Sequence, residues 1–146
     1  MPQPNWRNLW VPAAILAATL LVYSNSFSAG FALDNKPILL QDPRVQASTS
    51  ENISNIFHHT YWWPTGESGL YRPVTTLSYL FNYSILDDRD QPAGYHWINL
   101  LLHASNAILF YFLLLRLTAN MRIAALAALL WCIHPVLTES VTNIVG

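Results

Sequence analysis

Between Tyr95 and Leu117 the chain reads YHWINLLLHASNAILFYFLLLRL, with no charged side chain before Arg116. A run of this length and apolarity predicts a membrane-spanning helix, which needs roughly 20 such residues. Tyr95 and Trp97 sit where an interface belongs at one end. The stretch has four polar interruptions: His96, Asn99, His103 and Asn106. Their steps of three, four and three keep them within about 80° of arc on one helix face. Such a stripe turns toward a helix bundle or a wet cavity, not toward lipid. Two readings stay open: hydrogen-bond glue between helices, and a direct substrate contact by His96, nearest the outer end.

Two further uncharged stretches flank this one, Asn8–Gly30 and Ile123–Thr138. The first predicts a span near 10–27, with Trp6 and Trp10 anchoring one end and Tyr23 and Phe27 the other. A cleaved signal peptide ending at Ser26-Phe27-Ser28 is the rival reading. The second predicts a span near 121–137 that is short for a bilayer and breaks at His134, because Pro135 disfavours helix in the residue before it. Ala124, Ala125, Ala127 and Ala128 let a neighbouring helix approach closely. The fold expected is all-α and integral to a membrane, with about three transmembrane helices. Arg7, Arg116 and Arg122 flank the spans and put the N-terminus in the cytoplasm. The 28–94 loop then lies outside, in periplasm or lumen, of a bacterial inner membrane or an ER membrane.

Composition agrees with this class. Of 146 residues, 53% are hydrophobic and only 10% charged, against about 25% charged in soluble domains. The net charge of −1 gives no footprint for nucleic acid. The single cysteine, Cys132, rules out an intrachain disulfide and a cysteine zinc site.

Most of the charge lies in the 28–94 loop. Ser48 and Glu51 have capping-box spacing, and Ile53, Ile56, Phe57 and Tyr61 follow at helical spacing. Pro73 suits the first position of a second helix, over Pro73–Ile85, with Val74, Leu77, Phe81 and Ile85 as its apolar face. Both read as amphipathic helices lying on the membrane surface, with Trp62-Trp63-Pro64 at the interface. Asp34 follows the first span closely enough for partial desolvation, which raises a carboxylate toward general-base use; a solvated loop aspartate is the alternative. Arg72 has a fork suited to a lipid phosphate, or to a structural salt bridge. His58-His59 are adjacent and point about 100° apart on a helix, a poor chelate, so no metal site is assigned. Asn52-Ile53-Ser54 and Asn82-Tyr83-Ser84 match the glycosylation sequon.

In order, the chain shows Tyr23-Ser24-Asn25-Ser26-Phe27, Gly30-Phe31-Ala32-Leu33-Asp34-Asn35, Tyr71-Arg72-Pro73-Val74, Leu77-Ser78-Tyr79, Gly94-Tyr95-His96, and His134-Pro135-Val136 with Thr138-Glu139-Ser140-Val141. This order resembles the N-terminal part of the GT-C-type membrane glycosyltransferases that carry tetratricopeptide repeats, relatives of the protein O-mannosyltransferases. The resemblance implies transfer of a sugar, mannose among the candidates, from a polyprenyl- or dolichyl-phosphate carrier to a protein or glycan hydroxyl on the non-cytoplasmic side. It implies no cofactor beyond that lipid-linked donor and leaves divalent metal dependence open. Asp34 matches the acidic motif after the first span, where relatives usually have two acids and this chain has Asn35 second. Arg72 matches the Arg-Pro motif and is assigned to the carrier phosphate. His134 and Glu139 match the second-loop motif and are expected to line the same cavity. Such modules have many more spans, followed by repeats, so residues 1–146 are expected to be an N-terminal fragment inactive alone. A non-catalytic membrane anchor or assembly subunit is the competing class.

Overall fold

This computed structural model describes residues 9–31, 34–66 and 69–145. Trp6, Arg7, Ala32 and Leu33, used in the sequence reading, lie outside them. Every regular element among the described residues is helical: α1 (Trp10–Val22), α2 (Pro43–Gln46), α3 (Ser50–His58), α4 (Pro73–Leu80), α5 (Pro92–Thr118), α6 (Met121–Cys132) and α7 (Thr138–Thr142), with shorter 3₁₀ and π turns between. The chain divides into two compact units, one of residues up to Ser26 with Trp97–Ile144, the other of Phe27–His96 with Val145.

The 27-residue α5 is long and apolar enough to cross a membrane. It extends the expected 95–117 stretch by a turn at its start, where Pro92 takes a first-turn position that needs no N–H. Helix α6 and the segment Pro135–Thr142 have that character only as a bent pair, at 47°. The bend falls where Pro135 predicts it: α6 stops at Cys132, and His134 is extended, with ψ 129°. Helix α1 is shorter than the span expected over 10–27. Its 13 residues rise about 20 Å, after which a 3₁₀ turn runs Ser24–Ser28. The serines account for the early stop. Ser24 Oγ donates to the Leu21 carbonyl at 3.0 Å and Ser26 Oγ to the Tyr23 carbonyl at 2.7 Å, local bonds that compete with continued α-helix.

In the first unit Val11 and Ile15 of α1, Ala107 and Tyr111 of α5, and Ala124, Ala125, Ala128 and Cys132 of α6 form one core. The small alanine side chains bring backbones close, as membrane helix packing requires.

In the second unit α3 and α4 form where expected. The cap of α3 is Thr49, whose side chain accepts from Asn52 N at 3.2 Å, rather than Ser48 with Glu51. Ile56 is buried, whereas Ile53 and Phe57 are exposed. On α4 the buried residues are Thr76, Tyr79 and Leu80; Val74, Phe81 and Ile85 face outward. Hydroxyl and phenol groups can be buried here because each has a hydrogen-bonding partner: Thr76 Oγ1 donates to the Arg72 carbonyl at 3.2 Å, and the Tyr79 hydroxyl pairs with that of Tyr61 at 3.1 Å.

The approach to α5 depends on a glycine. A Cβ on Gly94 would fall inside the Asp88 carboxylate, whose Oδ2 is buried without a partner among the described residues. Burial, with Asp87 adding like charge, holds the Asp88 carboxyl above its ordinary value. Gly94→Ala should therefore destabilise the protein by about 1–3 kcal/mol, the usual cost of overpacking. Adding Asp88→Ala should restore most of the loss. Thermal melts of the three variants check this; equal melting of Gly94→Ala and wild type would contradict it.

Candidate functional site

The loop unit is organised around a buried ion pair that composition does not announce. Asp42 and Arg44 are each 1% exposed. Asp42 precedes Pro43 and caps α2, accepting from Arg44 N at 2.9 Å. The Arg44 side chain then turns back on the same carboxylate, with Nε 3.0 Å from both oxygens and Nη2 2.7 Å from Oδ2. Its outer nitrogens donate to three carbonyls of one turn: Thr60 at 3.1 Å, Tyr61 at 3.1 Å and Trp63 at 2.9 Å. The guanidinium carbon also lies 5.2 Å from the centre of the Trp63 ring, a cation–π distance. An arginine can be buried in this way because its charge is paired and its planar donors are satisfied.

That segment carries the site. Tyr61 N donates to the Leu70 carbonyl at 2.7 Å, which fixes the approach to Tyr71 and Arg72. The Tyr71 hydroxyl donates to the Phe57 carbonyl at 2.9 Å. Arg72 is exposed, and its guanidinium carbon is 5.5 Å from the Tyr61 ring centre. Both expected site residues act on Tyr61. Burial raises its phenol, while Arg72 pulls it down and the Asp34 carboxylate pushes it up. Tyr79 is likewise raised by burial, with Arg72 opposing. The fold thus places Arg72 over the ring of one member of a buried tyrosine pair, with Asp34 in electrostatic reach of that same Tyr61.

Asp34 itself is exposed, not desolvated as its nearness to the first span suggested. The buried polar residue at this corner is the next one, Asn35, at 3% exposure. Its Oδ1 accepts from Val145 N at 3.1 Å. The amide standing at the second position of the acidic motif is therefore a structural tie.

His96 is also buried in the loop unit. Its Nε2 is 3.4 Å from the Ala29 carbonyl, and Nδ1 has no partner among the described residues. His134 and Glu139 belong to the other unit. His134 Nδ1 accepts from Val136 N at 3.2 Å, capping the turn after the proline, and Glu139 is exposed on α7. His58 and His59 have separate partners: His58 Nδ1 lies 2.7 Å from the Ser54 carbonyl, and His59 stacks on Trp63. Among the described residues no three His, Cys, Asp or Glu gather as a metal set. Both sequon asparagines are part of the fold. Asn52 Nδ2 donates to the Pro43 and Ala47 carbonyls, and Asn82 is 2% exposed.

The polar stripe of α5 bonds within the first unit. Asn99 Nδ2 donates to the Asn143 carbonyl at 3.0 Å. His103 Nε2 is 2.8 Å from the Cys132 carbonyl, which also accepts from the Tyr23 hydroxyl at 3.2 Å. Asn106 is exposed beside a cavity of about 280 Å³ shared with His103, Trp131 and Ser140.

In comparison with known proteins, the chain is similar over nearly its whole length to protein O-mannosyltransferases. It is 31% identical to Protein O-mannosyl-transferase TMTC3 of Mus musculus, over 100% of this chain and 15% of that protein. It is 32% identical to Protein O-mannosyl-transferase Tmtc1 of Drosophila melanogaster, over 92% and 16%, and 29% identical to Protein O-mannosyl-transferase TMTC4 of Homo sapiens, over 94% and 20%. The chain thus spans at most about a fifth of the length of these relatives. No family model matches it, and no solved structure does.

The stripe yields a stability test. His103→Leu leaves the carbonyl freed by the α6 break with Tyr23 alone and should cost about 1 kcal/mol in helix association. His103→Gln, which keeps a donor, should recover part of it. Yield and thermal melting in detergent check both; a variant as stable as wild type would remove the structural role.

Proposed function

We propose that this chain is part of a membrane glycosyltransferase that moves a mannosyl group from a polyprenyl- or dolichyl-phosphate to a hydroxyl acceptor, with the loop unit on the non-cytoplasmic side. The observation that supports the assignment is the exposed Arg72 held over the buried Tyr61–Tyr79 pair, in a chain related to named O-mannosyltransferases. The chemistry needs two groups. Negative charge grows on the departing carrier phosphate, and a planar, permanently charged fork stabilises it. The acceptor hydroxyl must lose a proton, and an accessible carboxylate takes it. Arg72 supplies the first and Asp34 the second. Exposure of Asp34 suits a base that must touch an incoming acceptor.

The outward apolar residues of the loop belong to the same reading. Ile53 and Phe57 on α3, and Val74, Phe81 and Ile85 along α4 and its last turn, are exposed. They would enter the headgroup boundary and hold Arg72 at the depth of a lipid phosphate.

Three measurements test this. With a lipid-linked mannose donor and matched protein levels, Asp34→Asn should lower turnover by about 10²–10⁴-fold, the typical share of a general base, and leave donor KM near wild type. Arg72→Lys keeps charge but loses the fork, so donor KM should rise as well. Undiminished transfer by Asp34→Asn would overturn the catalytic assignment and favour a structural membrane subunit. In a Cys132-free background, cysteine at position 48 should label from outside and at position 119 from inside. The opposite pattern would overturn the sidedness.

A further inference from the structure

On the loop unit, away from Tyr61 and Arg72, Gln46, Tyr83, Ser84, Asp87 and Arg89 line a cleft of about 330 Å³. We propose that this cleft is a carbohydrate-binding subsite, sized for a single sugar residue. Small-molecule sites run from roughly 300 to 1,000 Å³, so the ligand is at the small end. Every lining side chain carries a hydrogen-bonding group, which suits a hydroxylated ligand and not a polyprenyl tail. Asp87 and Arg89 cancel in charge, so neither an anion nor a cation is favoured. A carboxylate, an amide, a guanidinium and a phenol on one wall match the alternating donors and acceptors of vicinal hydroxyls.

Two of the lining side chains are tied to backbone, and the Asp87–Arg89 pair beside them is exposed. Gln46 Nε2 donates to the Leu40 carbonyl at 2.9 Å, which leaves its oxygen for a ligand. Ser84 Oγ donates to the Val45 carbonyl at 2.6 Å and ties the two sides together. Arg89 Nε donates to Asp87 Oδ1 at 2.7 Å, and the terminal nitrogens of Arg89 have no partner among the described residues. The backbone is unusual in the same place. Asp87 and Arg89 both adopt left-handed φ, 62° and 41°; aspartate enters this region readily, arginine rarely. The turn is pinned from both sides: Asp88 N donates to the Asn82 carbonyl at 3.0 Å and the Tyr95 hydroxyl to the Arg89 carbonyl at 3.0 Å. Non-glycine residues held in this region persist where surroundings over-determine them, and they cluster at binding sites. Here the cost of the turn buys a carboxylate and a guanidinium aimed at one cleft.

The strain supplies the test. Glycine adopts such φ without penalty, so Asp87→Gly and Arg89→Gly remove the ligand-binding groups while the fold is kept or stabilised. Wild type and variants would be placed in phosphatidylcholine nanodiscs, free of sugar detergents, and probed by saturation-transfer NMR with methyl α-mannopyranoside and methyl β-glucopyranoside. At least one hexoside should bind wild type. Either glycine variant should weaken it at least tenfold, with melting temperature equal or higher. Asp34→Asn should bind as wild type does, which separates this site from the proposed transfer centre. Absence of hexoside binding, binding unaffected by both glycine variants, loss in Asp34→Asn, or displacement by a serine-containing peptide or inorganic phosphate would each overturn the subsite.

Discussion

The Arg44 guanidinium, closed within the Asp42 carboxylate and three carbonyls, is the constraint on which the loop unit rests. A buried ion pair adds little net stability over a hydrophobic replacement, but removing one partner costs about 3–5 kcal/mol because the other is left charged and dry. Its contribution is therefore to placement. It holds Thr60–Trp63 in one register, that register points Tyr61 at Tyr79, and the Tyr61–Leu70 backbone bond carries the constraint on to Arg72. A loop of this length with only short helices would otherwise have little to define where Arg72 sits.

The elements of that loop were legible in its sequence, but their orientation was not. Pro73 announced α4, and the apolar spacing announced α3. In a water-soluble protein the apolar face of such a helix would turn to the core, whereas here Ile53, Phe57, Val74, Phe81 and Ile85 stay exposed. A chain beside a bilayer has two apolar destinations, and hydropathy cannot say which one Val74 or Phe57 takes. Tyr79 and Thr76 could go inside because partners existed for their hydroxyls, and partners are a tertiary fact. Asp42 and Arg44 were missed for the same reason. The one local sign was an aspartate directly before a proline, the signature of a capped helix start, with an arginine one residue further along.

The membrane-like unit was more transparent, because its rules are stricter. With little water at hand, a buried polar side chain gains from a protein partner, and the spacing of Asn99 and His103 already put them on one face. Their partners were not legible. The carbonyl that receives His103 exists as an acceptor because α6 ends at Cys132, just before His134-Pro135, and Tyr23 reaches the same oxygen from the end of α1. The serines after Tyr23 stop α1 there, so two helix ends meet at one acceptor. The short length of α1 and the bend after α6, which look like defects of transmembrane spans, are what allow that meeting.

Charge in the loop follows the same logic of local satisfaction. Its acids outnumber its bases, yet an anionic donor need not be repelled, because exposed charges further apart than about 8 Å are largely screened at physiological salt. What a phosphate meets at contact decides. Arg44 is enclosed, and Arg72 is exposed beside the Tyr61 ring. On the proposed reading Asp34 shares that side, and a carboxylate directly against the phosphate would cancel the attraction. The arrangement works only with the sugar between them, phosphate toward Arg72 and acceptor hydroxyl toward Asp34. On that reading attack and departure would occur on opposite faces of the sugar, the arrangement that inverts the anomeric carbon.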